Sequence, residues 1–304
     1  MTPPIEDVVI CGGGPAGLAA AVWAGRYRRR TILFDAGRQR NLAATATHGY
    51  LTRDDTSPQE LLDAARRDLS RYATVRELRE VAKFAHRNDD GFSVTTEGGE
   101  YQTRSIMLCT GVEDAFPDIV GFHDLYGKAV FHCSCCDGLA AEGRDVLAIG
   151  WGAHAAPFAV QLLDWAAGVT LVTDGRDFEG RADAHAMLRG HGIEVIEDTV
   201  LEIMHRGDEM TGARIASGRV VPATMAFFSI AHEPRNNLAH DLGCELDGEG
   251  YIIVGKHGET SVGGVFAAGD VTPGEQLVQM AAAQGAIAGI ACAMSLSEHH
   301  VDPT

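Results

Sequence analysis

One pattern occurs twice in this chain and constrains its fold more than any other feature. A short apolar run enters a glycine-rich turn. An apolar helix follows, then a second apolar run that ends on an acid. The first copy is Asp7-Val8-Val9-Ile10-Cys11, Gly12-Gly13-Gly14-Pro15-Ala16-Gly17, a helix from Leu18 to Tyr27, and Thr31-Ile32-Leu33-Phe34-Asp35. The second is Asp145 to Ile149, Gly150-Trp151-Gly152-Ala153-His154-Ala155, a helix to about Ala167, and Val169 to Thr173 followed by Asp174. Runs this short and this apolar suit strands buried on both faces of a parallel sheet. Two such units predict an α/β chain with two Rossmann-like dinucleotide-binding domains.

The first copy reads G-x-G-x-x-G. Gly12 permits the tight turn, Gly14 lets a pyrophosphate approach the backbone, and Gly17 lets helix and strand pack closely. The helix N-terminus, entered through Pro15 and Ala16, then meets the phosphate charge. Asp35, with Ala36 after it, stands 23 residues beyond Gly12. An acid there is placed to hydrogen-bond a ribose.

Around these units the chain reads as strands and helices in alternation. Ser57, Pro58 and Glu60 open a helix to about Tyr72 as N-cap, N1 and N3. Val75 to Thr103 reads as short strands, and Ser105 to Gly111 as a strand ending in Thr110-Gly111. The pattern loosens near Val112 to Gly127, where the chain crosses to a second domain. Strand-like runs follow at Ile193 to Ile196, Thr199 to Met204 and Ala226 to Ile230. A return crossing falls near Ala231 to Arg235. Gly264 to Asp270 is a strand ending in Gly269-Asp270, and Leu277 to about Met294 is helical. The expected division is 1–114 and 234–304 for the first domain and 115–233 for the second.

Between the two units lies Cys133-Ser134-Cys135-Cys136-Asp137-Gly138. Two thiols at C-x-x-C spacing, one in the first turn of a helix, form a small exchangeable disulfide, and nearby cations lower one thiol's pKa. Adjacent cysteines pair poorly without a strained backbone, so Cys133 and Cys136 are the expected pair and Cys135 is expected to be dispensable. A zinc site would need two more ligands at similar spacing. Cys11, Cys109, Cys244 and Cys292 are scattered singly, so no metal is expected. His132 directly precedes the motif. It suits a base or a thiolate stabiliser, or simply a packed histidine.

The formal net charge of −17 argues against nucleic acid and anionic membrane as partners. No stretch approaches 18 consecutive apolar residues, and the N-terminus lacks a basic-then-apolar signal. A cytoplasmic protein without a membrane span is the expectation. In that compartment structural disulfides are rare, so a C-x-x-C points to a catalytic or metal-binding role.

Together Gly12 to Gly17, Asp35, Thr110-Gly111, Cys133/Cys136-Asp137, Gly150 to Ala155, Gly269-Asp270 and Gln279 resemble the low-molecular-weight thioredoxin reductase family, in order and over nearly the whole chain. The resemblance implies a homodimer with FAD across the first domain. FAD would be held by Gly12, Gly14, Pro15, Ala16, Gly17, Asp35, Ala36, Thr110, Gly111, Gly269, Asp270 and Gln279. It also implies that Asp137 exchanges a proton with the cysteine thiolate, and that Cys133, Cys136, Asp137 and His132 form the catalytic group. One departure matters. The family carries H-R-R-x-x-x-R after the second partner strand to grip the 2′-phosphate of NADPH. Here the segment reads Thr173-Asp174-Gly175-Arg176-Asp177-Phe178-Glu179. A carboxylate about 4 Å from a phosphate costs roughly 1–4 kcal/mol per unit charge, and the paired arginine forks are absent. Asp174 either holds the ribose of NADH or marks a vestigial site. Trp151 crowds the glycine turn, and Arg176 and Arg181 lie close enough in sequence to offer a phosphate some rescue.

A branch of the family fits better. It comprises the dithiol oxidases that close disulfides in small sulfur metabolites such as gliotoxin and holomycin, passing electrons from flavin to oxygen. The likeness rests on His48-Gly49, Thr52-Arg53-Asp54, His132 and Leu163-Asp164-Trp165. Asp137 departs from that branch, where histidine often stands. The expected activity is therefore an FAD-dependent oxidase of a small-molecule dithiol with oxygen as acceptor. The alternatives are an NAD(P)H-dependent reductase of a thioredoxin-like protein or small disulfide, and a flavin-binding redox sensor acting through a partner.

Overall fold

The computed structural model describes residues 5–178, 182–229 and 232–297. Two compact units form from interleaved segments. One comprises the chain up to Leu42, Thr56–Glu113 and everything from Glu233 on; the other comprises Ala43–Asp55 and Asp114–His232.

The first unit opens with β1 (Glu6–Cys11), α1 (Pro15–Arg26), β2 (Thr31–Phe34) and α2 (Pro58–Leu69). The Ser57 hydroxyl caps α2 by accepting from the Glu60 N–H at 3.2 Å, a contact worth about 1 kcal/mol. Then come β3 (Val75–Leu78), β4 (Phe84–Asn88), β5 (Gly91–Thr95) and β6 (Glu100–Leu108). The strand order is β3-β2-β1-β6-β5-β4. β1 pairs in parallel with β2 on one side and β6 on the other, with Cys11 opposite Phe34 and Leu108. Val8, Val9, Ile10, Ile32 and Leu33 are all buried, as their unbroken apolar runs require.

The chain leaves through β7 (Val112–Asp114). The second unit follows with α3 (Phe122–Leu125), β8 (Val130–Phe131), α4 (Ser134–Asp137), β9 (Asp145–Ile149), α5 (Ala155–Gln161) and β10 (Gly168–Val172). After these come α6 (Ala182–Gly190), β11 (Glu194–Ile196), β12 (Val200–Arg206), β13 (Glu209–Ile215), β14 (Val220–Val221) and β15 (Met225–Phe228). A parallel sheet runs β11-β10-β9-β15-β8, and β12-β13-β14 form a separate antiparallel sheet. The expected helix to Ala167 is shorter: α5 stops at Gln161 and tightens into a 3-10 turn at Leu162–Asp164. The strand expected over Ala226 to Ile230 ends at Phe228. Arg181, Ile230 and Ala231 lie outside the described residues.

The chain returns through β16 (His232–Pro234), which pairs with β7. It continues with α7 (Asn237–Leu242), β17 (Val265–Ala267) and α8 (Val278–Ser295). β17 joins the first sheet in parallel beside the C-terminal half of β6. Among the described residues α8 alone is long and apolar enough to cross a membrane, with a mean hydropathy of 1.3. Here it packs on α1 at very short range. A Cβ on Gly285 would sit 2.0 Å from the Ala16 carbonyl oxygen, and one on Gly289 would sit 2.8 Å from Ala20 Cα.

The contiguous reading over 1–114 did not separate Ala43–Asp55, which groups with the second unit. Gly127 shows why. Its ideal Cβ would lie 2.0 Å from the Ala43 carbonyl oxygen, so this stretch is packed backbone to backbone against the start of the second unit.

Candidate active site

At the first glycine turn, Gly12 has φ +117° and its Cβ would meet the Cys109 carbonyl oxygen at 2.1 Å. A Cβ on Gly17 would lie 1.8 Å from the Gly12 carbonyl oxygen. No side chain caps α1 at Gly14, and Pro15 supplies no N–H. The remaining first-turn N–H groups are not met by any side-chain cap, which suits a pyrophosphate. The donor set and the close backbone therefore fit the phosphates of FAD.

Asp35 behaves differently from expectation. Its side chain is 1% exposed, and its two oxygens accept from the Gly37 N–H and Gln39 Nε2 at 2.7 Å each, Arg66 Nη2 at 2.7 Å and Arg79 Nη1 at 3.2 Å. A carboxylate offers about four acceptor positions, so protein donors fill them. Asp35 thus ties β2 to the loop after it and to α2. The sequence carried no sign of Arg66 and Arg79 in this role, because both lie more than thirty residues away.

The remaining expected flavin contacts fall on the same unit. The Thr110 hydroxyl donates to the Arg235 carbonyl at 2.6 Å, and Gly111 takes φ +69°. The Gly269 N–H donates to Gln284 Oε1 at 2.9 Å. Asp270 stands 3.9 Å from Arg40, whose Nη1 also donates to Gln276 Oε1 at 2.6 Å. Gln279 is half-buried in the first turn of α8.

In the second unit, Cys133 and Cys136 form a disulfide, with Cα atoms 5.3 Å apart. Cys133 is the N-cap of α4, and its Sγ accepts from the Cys136 N–H at 3.1 Å. Cys135 is free and exposed. Gln161, which sequence reasoning missed, reaches both positions between the paired cysteines. Its Oε1 accepts from the Ser134 hydroxyl at 2.9 Å, and its Nε2 lies 3.8 Å from the Cys135 sulfur. Trp165 lies against the helix end, where a Cβ on Gly138 would come within 2.7 Å of the ring.

Burial raises the Asp137 pKa from 3.8 to about 6, and the nearby His48 pulls it partly back. His48 belongs to the Ala43–Asp55 stretch and pairs with Asp55 at 3.0 Å, while Asp54 accepts from the Gly49 N–H at 2.8 Å. These three side chains bring possible ligand atoms within 4.8 Å of one another, but Asp54 and Asp55 are already engaged in holding the loop. On the other flank, His132 Nδ1 lies 3.0 Å from the Tyr126 hydroxyl, which donates to Asp114 Oδ2 at 3.3 Å.

The second glycine turn is built differently from the first. Asp174 adopts φ +53°, and its Oδ1 accepts from the Val200 N–H at 3.0 Å. Arg176 lies over the Trp151 ring, 4.2 Å from its centroid. α5 begins only at Ala155, five residues after Gly150, whereas α1 begins three residues after Gly12.

Two nucleotide-type units with a redox disulfide on the second define a two-domain disulfide oxidoreductase. The comparisons agree. The description of pyridine nucleotide-disulphide oxidoreductases matches residues 6–285. The chain is 30% identical to the bifunctional thioredoxin reductase/thioredoxin of Mycobacterium leprae (strain TN), over 97% of this chain and 67% of that one. It is 28% identical to thioredoxin reductase aclD of Aspergillus oryzae (strain ATCC 42149 / RIB 40), over 98% of each. The crystal structure of HlmI superposes with a TM-score of 0.89 at 33% identity, covering 95% of this chain and 91% of that one. The chain belongs to the pyridine nucleotide-disulphide oxidoreductase family and is a thioredoxin reductase-like enzyme with FAD as its cofactor.

Proposed function

We propose that this enzyme is a dithiol oxidase. It takes two electrons and two protons from a small-molecule dithiol, closes it to a disulfide, and delivers the electrons to oxygen as peroxide. A substrate thiolate attacks the Cys133–Cys136 bond. The substrate's second thiol resolves the mixed disulfide, leaving both cysteines reduced. Asp137 and His132 flank the pair and accept the two substrate protons. FAD would be held along Gly12 to Gly17 with Asp270 and Gln279 alongside, and would supply the two-electron acceptor between the thiols and oxygen.

The observation that carries this reading is the second glycine turn. Asp174 is committed to Val200, Trp151 is covered by Arg176, and α5 starts late. Each of these departs from the arrangement at the first turn that suits a dinucleotide, which supports a reading in which electrons enter through thiols. The decisive measurement is anaerobic mixing of the holoenzyme with a dithiol, NADPH or NADH while flavin absorbance is followed. Bleaching by dithiol alone supports the oxidase. Fast bleaching by either nucleotide makes the enzyme a reductase, and bleaching by none makes it a sensor acting through a partner.

The working form is proposed to be a cytoplasmic homodimer. In α8, Met280, Ile287 and Met294 are spaced by seven and are 40%, 46% and 38% exposed. That seam suits a second copy of the helix. Light scattering on the holoenzyme tests it, and a monomeric mass would refute it.

A further inference from the structure

Three cysteines stand within four residues of one short turn, so the chain must specify which two of them pair. Helical geometry does not settle this by itself. α4 runs only from Ser134 to Asp137. A helix of one turn is far too short to hold itself together, because a single closing bond has to fix several dihedrals. While Cys133 and Cys136 are joined, the bond between them staples the turn, with the Cα atoms 5.3 Å apart. When that bond opens, other contacts have to keep α4 wound.

The second unit supplies such contacts from the end of α5. Phe131 before the motif and Ala141 after it are buried in one apolar cluster with Ala159 and Leu162. Gln161 therefore stands between two anchored residues, and its amide reaches the two residues enclosed by the paired cysteines. The hydroxyl of Ser134, a residue only 6% exposed, donates to Gln161 Oε1 at 2.9 Å. Gln161 Nε2 donates to Cys135 Sγ at 3.8 Å, within reach for a sulfur acceptor. A primary amide carries an acceptor and two donors on one plane, so one side chain ties both neighbours at once. We infer that Gln161 is a positioning residue for the redox pair: it keeps α4 wound while the disulfide is open, so that Cys133 closes again on Cys136 and not on Cys135.

Side chains two residues apart on a helical turn do not face each other, whereas those three apart do. A wound α4 thus turns Cys136 toward Cys133 and Cys135 away from it, and a frayed α4 lets Cys135 approach. The misdirected step is an exchange within the chain. The Cys135 S–H bond breaks, and the electron pair left on that sulfur forms a bond to Cys133 Sγ. The Cys133–Cys136 bond breaks, its electron pair stays on Cys136, and Cys136 takes up the proton. No electrons leave the protein, so the wrong disulfide forms without an oxidant. The inference holds whichever way electrons cross the disulfide, and it does not rest on the dithiol oxidase reading.

The test equilibrates the holoenzyme without oxygen in graded mixtures of reduced and oxidised dithiothreitol, quenches with acid, alkylates, and maps the cysteines by mass spectrometry. Gln161 is exposed, so Gln161→Met leaves the core intact and keeps the side chain's length, but makes neither bond. Ser134→Ala removes the first bond from its other end. The equilibrium constant for closing Cys133–Cys136 should fall about three- to ten-fold in each variant, because the open turn gains freedom that the closed one does not. That is a shift of about 15–30 mV for a two-electron couple. The double variant should be no worse than Gln161→Met alone, since both changes break one bond. Alkylation of the oxidised protein should label Cys135 in wild type, and Cys136 as well in Gln161→Met. A closing constant within two-fold of wild type in both single variants overturns the inference. So does a fully additive loss in the double variant, or a Gln161→Met protein in which Cys136 stays unlabelled.

Discussion

The two glycine turns begin from nearly the same sequence and end as different objects. At the first, the helix starts three residues after Gly12, and the buried Asp35 is held by four donors that brace the loop around the turn. At the second, the helix starts five residues after Gly150, and Trp151 occupies the turn under Arg176. Asp174 turns back to cap the first N–H of β12. A strand, a glycine turn and an acid are thus enough to specify a Rossmann unit, but not the detailed shape of its turn. A nucleotide site needs the first helical turn to present open N–H groups and the glycines to leave backbone exposed. The second unit keeps the Rossmann pattern and also carries the Cys133–Cys136 disulfide.

The largest expected difference lies in the glycines themselves. Gly12→Ala places a Cβ 2.1 Å from a carbonyl oxygen at φ +117°, whereas Gly152→Ala meets nothing within 4 Å. The first substitution should cost about 3 kcal/mol or more through strain and a displaced strand end, and the protein should lose FAD. The second should stay within about 0.5 kcal/mol of wild type, as an unencumbered surface change does, with FAD retained. Flavin content after gel filtration, together with thermal melting, checks both. Equal losses would mean that the second turn still needs its open backbone, and the contrast would fail.

The next effect asks whether the second unit has become a thiol site. The Asp137 pKa is raised from 3.8 to about 6, chiefly by burial. A raised carboxyl pKa means that the folded state holds the proton more tightly than the unfolded chain. The penalty is therefore absent below about pH 4, grows between pH 4 and 6, and is complete above pH 6. Its size is at most about 3 kcal/mol, and about 1–2 kcal/mol once solvent screening of this partly exposed group is allowed for. Asp137→Asn should accordingly be more stable than wild type at pH 8 and equal to it near pH 3.5. It should also lose the rise of dithiol bleaching through pH 6 and fall roughly ten- to a hundred-fold in rate. Denaturant melts and a pH–rate series test this. A variant less stable at pH 8 would show that Asp137 is structural.

How much of this was legible in advance follows from where each interaction sits in the chain. The first glycine turn, the Ser57 cap and the Cys133–Cys136 pair involve residues within a few positions of one another, and their spacing carries their geometry. The parallel strands were readable because burial on both faces leaves uninterrupted apolar runs. The short α6 and α7 and the antiparallel β13 carried no comparable signal, since each is partly exposed and mixed in polarity. The donors to Asp35, the place of Ala43–Asp55 in the second unit, and the Asp114–Tyr126–His132 chain all depend on contacts between separate elements. Nothing local marks Tyr126 as different from the chain's other tyrosines. What the Leu163-Asp164-Trp165 segment touches is visible only in three dimensions: Trp165 packs on Gly138, at the end of the redox helix.

The smallest expected effect is the most direct test of how the second turn is shut. Arg176 and Trp151 meet at 4.2 Å, a cation–π contact worth about 0.5–1 kcal/mol at a site open to water. Arg176→Ala should therefore lower the melting temperature by only about 1–3 °C. Dithiol bleaching should remain within two-fold, because neither residue is part of the disulfide site. Trp151→Gly goes further and removes the indole from the turn. It should still not permit fast bleaching by NADPH, since Asp174 remains bonded to Val200 and no arginine fork replaces the missing pair. If Trp151→Gly alone turned on NADPH bleaching, the indole would be the only barrier. The second turn would then be a plugged nucleotide site, and the late start of α5 and the turned Asp174 would have no part in closing it.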